Sequence, residues 1–412
     1  MPSGAREWKL RGMRLLAFVL VLLSGVSAAQ AERKSFDVID PYTKGDDDRI
    51  ERAGYKSLGP FSLGGNLVTS RVAEIMKGVP LLWVETAHFK IGSGLPECGV
   101  DKADRERVLS ELERLAVLLP DVKLRPKKLD AWLRLHLFAL RLEETYAEFE
   151  QLFGLEDHDF PIQPPPAGAP AADYMGEGPY LGMPAKFEVL LFERKSDLAL
   201  YSQAVEGKAR SAPYQQLYPT VGALTYVTAA EFLEGEYAND AALTCFVRRA
   251  VAQLFSTGFR GPKVPVSFAW SEGLGHWFSR RYDPHYHFFS GKDPAANRIT
   301  DEWNWAVGVR ERVERKVFPS TAELLGWRAE DELDWAQHGI LWSRIDFLLT
   351  LPDHKAGSVL RLLKHPAEAG ELDLPEARVE RARKAFQEGT GVDLAAFDVA
   401  WAEWVQRTYP KK

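Results

Sequence analysis

The densest chemical signal in the 412 residues lies between Trp270 and His287. Glu272 and His276 stand four apart, a spacing that puts both side chains on one face of a helix. A carboxylate and an imidazole one turn apart can share a divalent cation. His285 and His287 follow as H-x-H, and in an extended segment their side chains fall on one side. Glu272, His276, His285 and His287 therefore form a candidate zinc set, although no carboxylate base for a metal-bound water stands out beside it. Upstream, Arg248 and Arg249 open the run RRAVAQL, which patterns as a helix. Arginine neither ligates zinc nor acts as a base near neutral pH, so these two residues can contribute only positive charge. A serine-hydrolase reading finds no G-x-S-x-G. Ser271 is expected to cap the helix that carries Glu272, and His338 has no evident nucleophile to serve.

The elements that must position these residues are legible in part. Leu81–Val84 and His88–Ile91 pattern as strands, as do KFEVLLFE (Lys186–Glu193) and Ala223–Val227. Helices are expected over Asp104–Leu119, Leu129–Phe153 with Gly154 as its cap, Ser196–Val205, Asp240–Thr257 and Ser271–Tyr282. More follow at about 301–315, 320–327, 331–350, 356–364, 376–388 and 393–408. A few strands with early helices and then a helical C-terminal half make an α+β fold, not an alternating parallel sheet. The aromatic residues Trp303, Trp305, Trp327, Trp335, Trp342, Trp401 and Trp404 are expected mainly in the core. Asp46-Asp47-Asp48 lacks the spacing of a calcium loop and is expected to be a solvated loop.

The pair of helices with W-S-E-G-L-G-H-W-F (Trp270–Phe278) opening the second resembles the core of the gluzincin metallopeptidases, in particular the MA-like peptidases secreted by bacteria. In that family one helix carries H-E-x-x-H, two His chelating zinc with a Glu as general base, and the second helix supplies a Glu as third ligand. Glu272-Gly273-Leu274 matches the third-ligand segment. Counting back from Glu272 places Ala252 at the second His, Arg248 at the first and Arg249 at the catalytic Glu. The likeness extends over about residues 81–408, taking in KFEVLLFE and the closing Gly391-Val392-Asp393-Leu394 and Trp401-Ala402-Glu403-Trp404.

The resemblance implies a gluzincin/zincin-like fold with a small sheet, whose H-E-x-x-H has been lost. It implies no cofactor and no catalysis: a pseudopeptidase that binds a peptide or protein segment in the old substrate cleft, or a structural module. Glu272 would then need a counter-charge, and Arg248 is expected to supply a guanidinium where zinc would sit. The alternative is a metal-dependent hydrolase using zinc at Glu272, His276, His285 and His287.

Composition narrows the partners. Hydrophobic residues are 46% and charged residues 27%, which excludes a disordered chain and a multi-span membrane protein. Acidic residues outnumber Lys and Arg by 58 to 52, which argues against nucleic acid, since phosphate neutralisation needs a basic surface. Arg6, Lys9, Arg11 and Arg14 precede the apolar Leu15–Leu23, and Ala29-Gln30-Ala31 fits a signal-peptidase site. The expectation is export, to the periplasm or beyond, with no stable membrane span after cleavage. Cys98 and Cys245 allow either one disulfide or two buried thiols. The organisation expected is 1–31 signal peptide, 32–80 N-terminal extension, 81–154 strands and two helices, 155–184 Pro/Gly-rich irregular segment, 185–290 degenerate peptidase core and 291–412 helical C-terminal part.

Overall fold

The computed structural model describes residues 39–166, 174–289, 304–328, 333–365 and 375–411. The expected signal peptide, Trp303 and the middle of the Pro/Gly-rich segment lie outside them. Residues Asp37–Lys412 form one compact unit. Asp46 does not sit in an open loop: its carboxylate accepts from the backbone N–H of Arg49 and caps helix α1 (Asp47–Arg52). Helix α2 (Thr69–Met76) follows, again within the turn-rich N-terminal stretch.

The sheet is built from β1 (Leu82–Glu85), β2 (Phe89–Ser93), β3 (Phe187–Phe192), β4 (Tyr214–Tyr218) and β5 (Ala223–Ala229), in the order β1-β2-β3-β5-β4. The inner three strands run parallel and both edges are antiparallel. Every residue of β3 and β5 is buried, as expected for strands covered on both faces. Between β2 and β3 run α3 (Arg105–Leu118) and α4 (Ala131–Phe153), the latter stopped by Gly154 at φ 62°. That left-handed backbone costs glycine least. Helix α5 (Lys195–Glu206) and α2 cover one face of the sheet, closing a core of Phe61, Val72, Leu190, Phe192, Leu198 and Tyr201.

Of the helices that carry the site, α6 (Asp240–Gly258) packs on the sheet beside α4, and the next helix packs on α6. Helix α6 is capped by Asn239, and α7 (Phe268–Tyr282) by Ser267, whose hydroxyl accepts from the N–H of Trp270. Ser271 is thus inside the helix and not its cap, as the sequence pattern had suggested. Phe255 of α6 is a hub: its ring lies 5.1 Å from Phe187, 5.3 Å from Phe149 and 5.4 Å from Tyr146. The start of α6 is pinned by Asp240, which binds Arg134 at 3.0 Å and Arg141 at 2.7 Å, while Arg141 also holds Glu111 at 2.7 Å. Burial alone would raise the Asp240 pKa, but the two guanidiniums outweigh it and hold it down at about 2.

Among the described residues six further helices follow: α8 (Trp305–Glu314), α9 (Thr321–Gly326), α10 (Trp335–Thr350), α11 (Lys355–Leu363), α12 (Pro375–Thr390) and α13 (Leu394–Thr408). Of the aromatic residues expected mainly in the core, Trp305 and Trp401 are buried, whereas Trp327, Trp335, Trp342 and Trp404 are half-buried. The architecture is therefore α+β, with a small mixed sheet and a helical C-terminal half. No helix among the described residues is long and apolar enough to cross a membrane.

The two cysteines are not bonded to each other. Cys245 sits inside α6 facing the carbonyl of Asp283 at 3.7 Å, and Cys98 lies near the Asp240 carboxylate at 4.0 Å. The disulfide alternative is thereby overturned. The described parts of segment 155–184 are packed against the molecule: Phe160 lies 6.0 Å from Phe259, and the N–H of Arg260 donates to the carbonyl of Leu181 at 2.8 Å. These described parts wrap over the end of α6.

Candidate functional site: a buried carboxylate where three helices meet

Helix α7 runs between α6 and α10, and two glycines let both neighbours approach it. A Cβ on Gly273 would stand 2.8 Å from the carbonyl oxygen of Leu341 on α10, and one on Gly275 would stand 3.0 Å from Cγ of Arg249 on α6. Glu272 and His276, one turn apart, therefore project into a junction that both neighbouring helices reach.

Five side chains converge there. Glu272 is 0% exposed, and its Oε2 accepts from Nη2 of Arg249 at 2.6 Å. Its Oε1 lies 3.2 Å from Nε2 of His276 and 3.3 Å from Nδ1 of His338, which comes from the first turn of α10. The two imidazole nitrogens are 3.0 Å apart. Gln253, one turn after Arg249 on α6, brings Nε2 to within 3.5 Å of Oε2. From the sheet edge, Gln215 of β4 donates to the carbonyl of Ala250 at 3.3 Å and comes within 3.5 Å of Gln253 Oε1.

The electrostatics are those of a locked ion pair. Burial would raise the Glu272 pKa, but the Arg249 charge and then His276 hold it well below the carboxylate range. Burial pushes His276 down to about 3 against the pull of Glu272, so its imidazole is neutral at physiological pH. Aromatic rings pack around the imidazoles: Trp305 lies 5.0 Å from His276, and Phe289 4.3 Å from His338.

The sequence-derived residues divide. Glu272 and His276 do meet. Arg248 does not pair with Glu272. Its Nη2 donates to Glu148 at 2.7 Å, its Nε donates to the carbonyl of Phe278 at 3.2 Å, and its guanidinium lies 5.8 Å from the Tyr282 ring. The reason is helical phase: residues 248 and 249 are 100° apart, so Arg248 meets the C-terminal end of α7, at Phe278 and Tyr282, and only Arg249 reaches Glu272. Ala252 is 0% exposed and offers no polar group. His285 is turned to the surface and bonded to Asp283 at 2.9 Å. His287 is buried edge-on against Trp335, with ring centroids 4.2 Å apart. Neither belongs to the group of potential ligands, which is Glu272, His276 and His338. Three contributors were missed: His338, Gln253 and Gln215. Gln253 had a signal, the i, i+4 spacing from Arg249; His338 had none, because 62 residues separate it from His276.

No protein-family model, no curated protein and no solved structure matches the chain.

Proposed function

We propose that this chain is an exported pseudopeptidase: a metallopeptidase-type scaffold in which a guanidinium stands where the metal stood, and which binds a peptide or protein segment without cleaving it. The observation that carries this reading is the buried 2.6 Å pair between Arg249 and Glu272, with Gln253 one turn further on reaching the same oxygen. In H-E-x-x-H the two ligands also stand at i and i+4 and converge with the third-ligand Glu. Arg249, Ala250 and Gln253 thus take the His, Glu and His positions, one residue later than the sequence count had put them. Ala250 supplies no base, and Arg249 no ligand. The partner segment would add to the open side of β4, the edge strand that Gln215 ties to α6.

A second reading has one observation in its favour. Glu272 Oε1, His276 Nε2 and His338 Nδ1 are 3.0 to 3.3 Å apart, close to the roughly 3.3 Å between ligand atoms of tetrahedral zinc. The charge balance opposes it. Arg249 already neutralises Glu272, and among the described residues no second carboxylate reaches the site to balance the two further positive charges of a dication, a costly burial.

Metal analysis of the purified chain, dialysed without chelator, separates the two. The pseudopeptidase reading expects no stoichiometric metal. Zinc bound one to one, and lost on His338→Ala, would replace it with the second reading. A gain-of-site test checks the register: Arg249→His, Ala250→Glu, Gln253→His should bind zinc, whereas Arg248→His, Arg249→Glu, Ala252→His should not. The opposite result in folded variants would refute the frame.

A further inference from the structure

We infer that a second site, a cavity between α8 and α10, binds a small amphipathic carboxylate: an apolar body carrying one anionic head. The cavity measures about 570 Å³, within the usual range for small-molecule sites. Its walls are Trp305, Trp335, Val309 and Val317, joined by Gly308 and Gly339. Trp305 and Val309 are core residues, whereas Val317 is 57% exposed and offers an aliphatic surface at the mouth.

The polar groups set the charge of the occupant. Arg312 and Arg315, one from the last turn of α8 and one just past it, line the cavity, and neither has an acidic partner among the described residues. Elsewhere on this chain arginines are mostly paired, as Arg310 is with Glu314 at 2.9 Å on the same helix. Among the described lining residues one carboxylate, Glu311, stands against the two arginines, an excess of one positive charge. Guanidiniums bind carboxylates through paired, charge-assisted hydrogen bonds. An apolar body on the Trp and Val walls with its carboxylate at Arg312 and Arg315 satisfies both features. A neutral apolar ligand would leave the arginines unused, and a polyanion such as a nucleotide would face Glu311 and an apolar floor.

The glycines provide the test. A Cβ at Gly308 would meet nothing within 4 Å, so Gly308→Leu can start a side chain at the wall, and leucine favours the helix over glycine. Isothermal titration calorimetry with dodecanoate, below its micelle concentration, should show saturable one-to-one binding to the full chain. Dodecanol should bind at least about tenfold more weakly, as should dodecanoate to Arg312→Ala/Arg315→Ala. Gly308→Leu should abolish binding, with circular dichroism unchanged. Absence of saturable dodecanoate binding to the wild-type chain overturns the site. Equal affinity for dodecanol, or undiminished binding in the double-arginine variant, overturns the role given to the arginines. Undiminished binding to Gly308→Leu overturns the placement. None of these outcomes depends on the metal content at Glu272, so the peptidase-like reading stands or falls separately.

Discussion

At the residue scale the decisive object is the Glu272 carboxylate. With both charges buried, removing one strands the other, a loss of about 3–5 kcal/mol. Glu272→Leu should therefore destabilise the chain strongly, and Arg249→Met/Glu272→Leu, which removes both charges, should recover a large part of that loss. Urea midpoints of the three proteins decide it; equal losses in the single and double variants would show that the pair is not coupled. His276 adds a pH dependence. Its pKa is pushed from near 6.5 when unfolded to about 3 when folded. Between those values the unfolded chain binds the extra proton, so stability rises with pH and is lost as pH falls below about 6.5, by up to about 1.4 kcal/mol per pH unit. Glu272, also depressed, acts in the same direction below the ordinary carboxylate range. His88 acts oppositely: Glu143 and Asp157 raise its pKa against its burial, so its contribution is lost as pH rises. Comparing urea midpoints at pH 7 and pH 5 for wild type and His276→Gln isolates the first effect, and the variant should show the shallower dependence. The i, i+4 pair Glu272 and His276 was legible because the signal is local. His338 was invisible because only the packing of α10 on α7 brings it near.

At the scale of elements, α7 is a helix narrowed on two sides. Gly273→Ala puts a methyl 2.8 Å from the Leu341 carbonyl and from Ile345. Such overpacking costs about 1–3 kcal/mol. Gly308→Ala on α8 meets nothing and should instead stabilise by about 0.5–1 kcal/mol. Thermal denaturation of the two variants should thus shift in opposite directions. The same contrast explains what the sequence disclosed. The runs KFEVLLFE and Ala223–Val227 are largely apolar and read as strands, and they form the sheet's interior, where the buried Glu188 accepts from the hydroxyl of Thr225 at 2.6 Å. Tyr214–Tyr218, YQQLY, escaped notice because an edge strand is half solvated and carries two glutamines at its centre. The start of α7 was misplaced by three residues because Ser267 and Ser271 both suit a cap, and only the bond to the N–H of Trp270 tells them apart.

At the scale of the whole molecule, the expectation of an α+β fold rested on the order of strands and helices, and that order held. Pairing of the two cysteines could not be read that way, because it depends on which helices meet. Cys245 is 0% exposed and its pKa is pushed by burial to about 12, while Cys98 is partly exposed and raised to about 11. A thiol reagent at pH 8 should label Cys98 slowly and Cys245 not at all in the native state, with both labelled in denaturant. Electrophoretic mobility should be the same with and without reductant; a faster non-reduced band would contradict two free thiols. Segment 155–184 offered the same ambiguity, and its answer also lay in tertiary contacts, with Phe160 on Phe259 and Leu181 on Arg260.

The counter-charge at Glu272 is part of the polypeptide. A guanidinium on α6 cannot be stripped by a chelator, exchanged for a competing ion, or lost when trace elements are scarce. Both partners of that ion pair are inherited with the sequence and present at the end of synthesis.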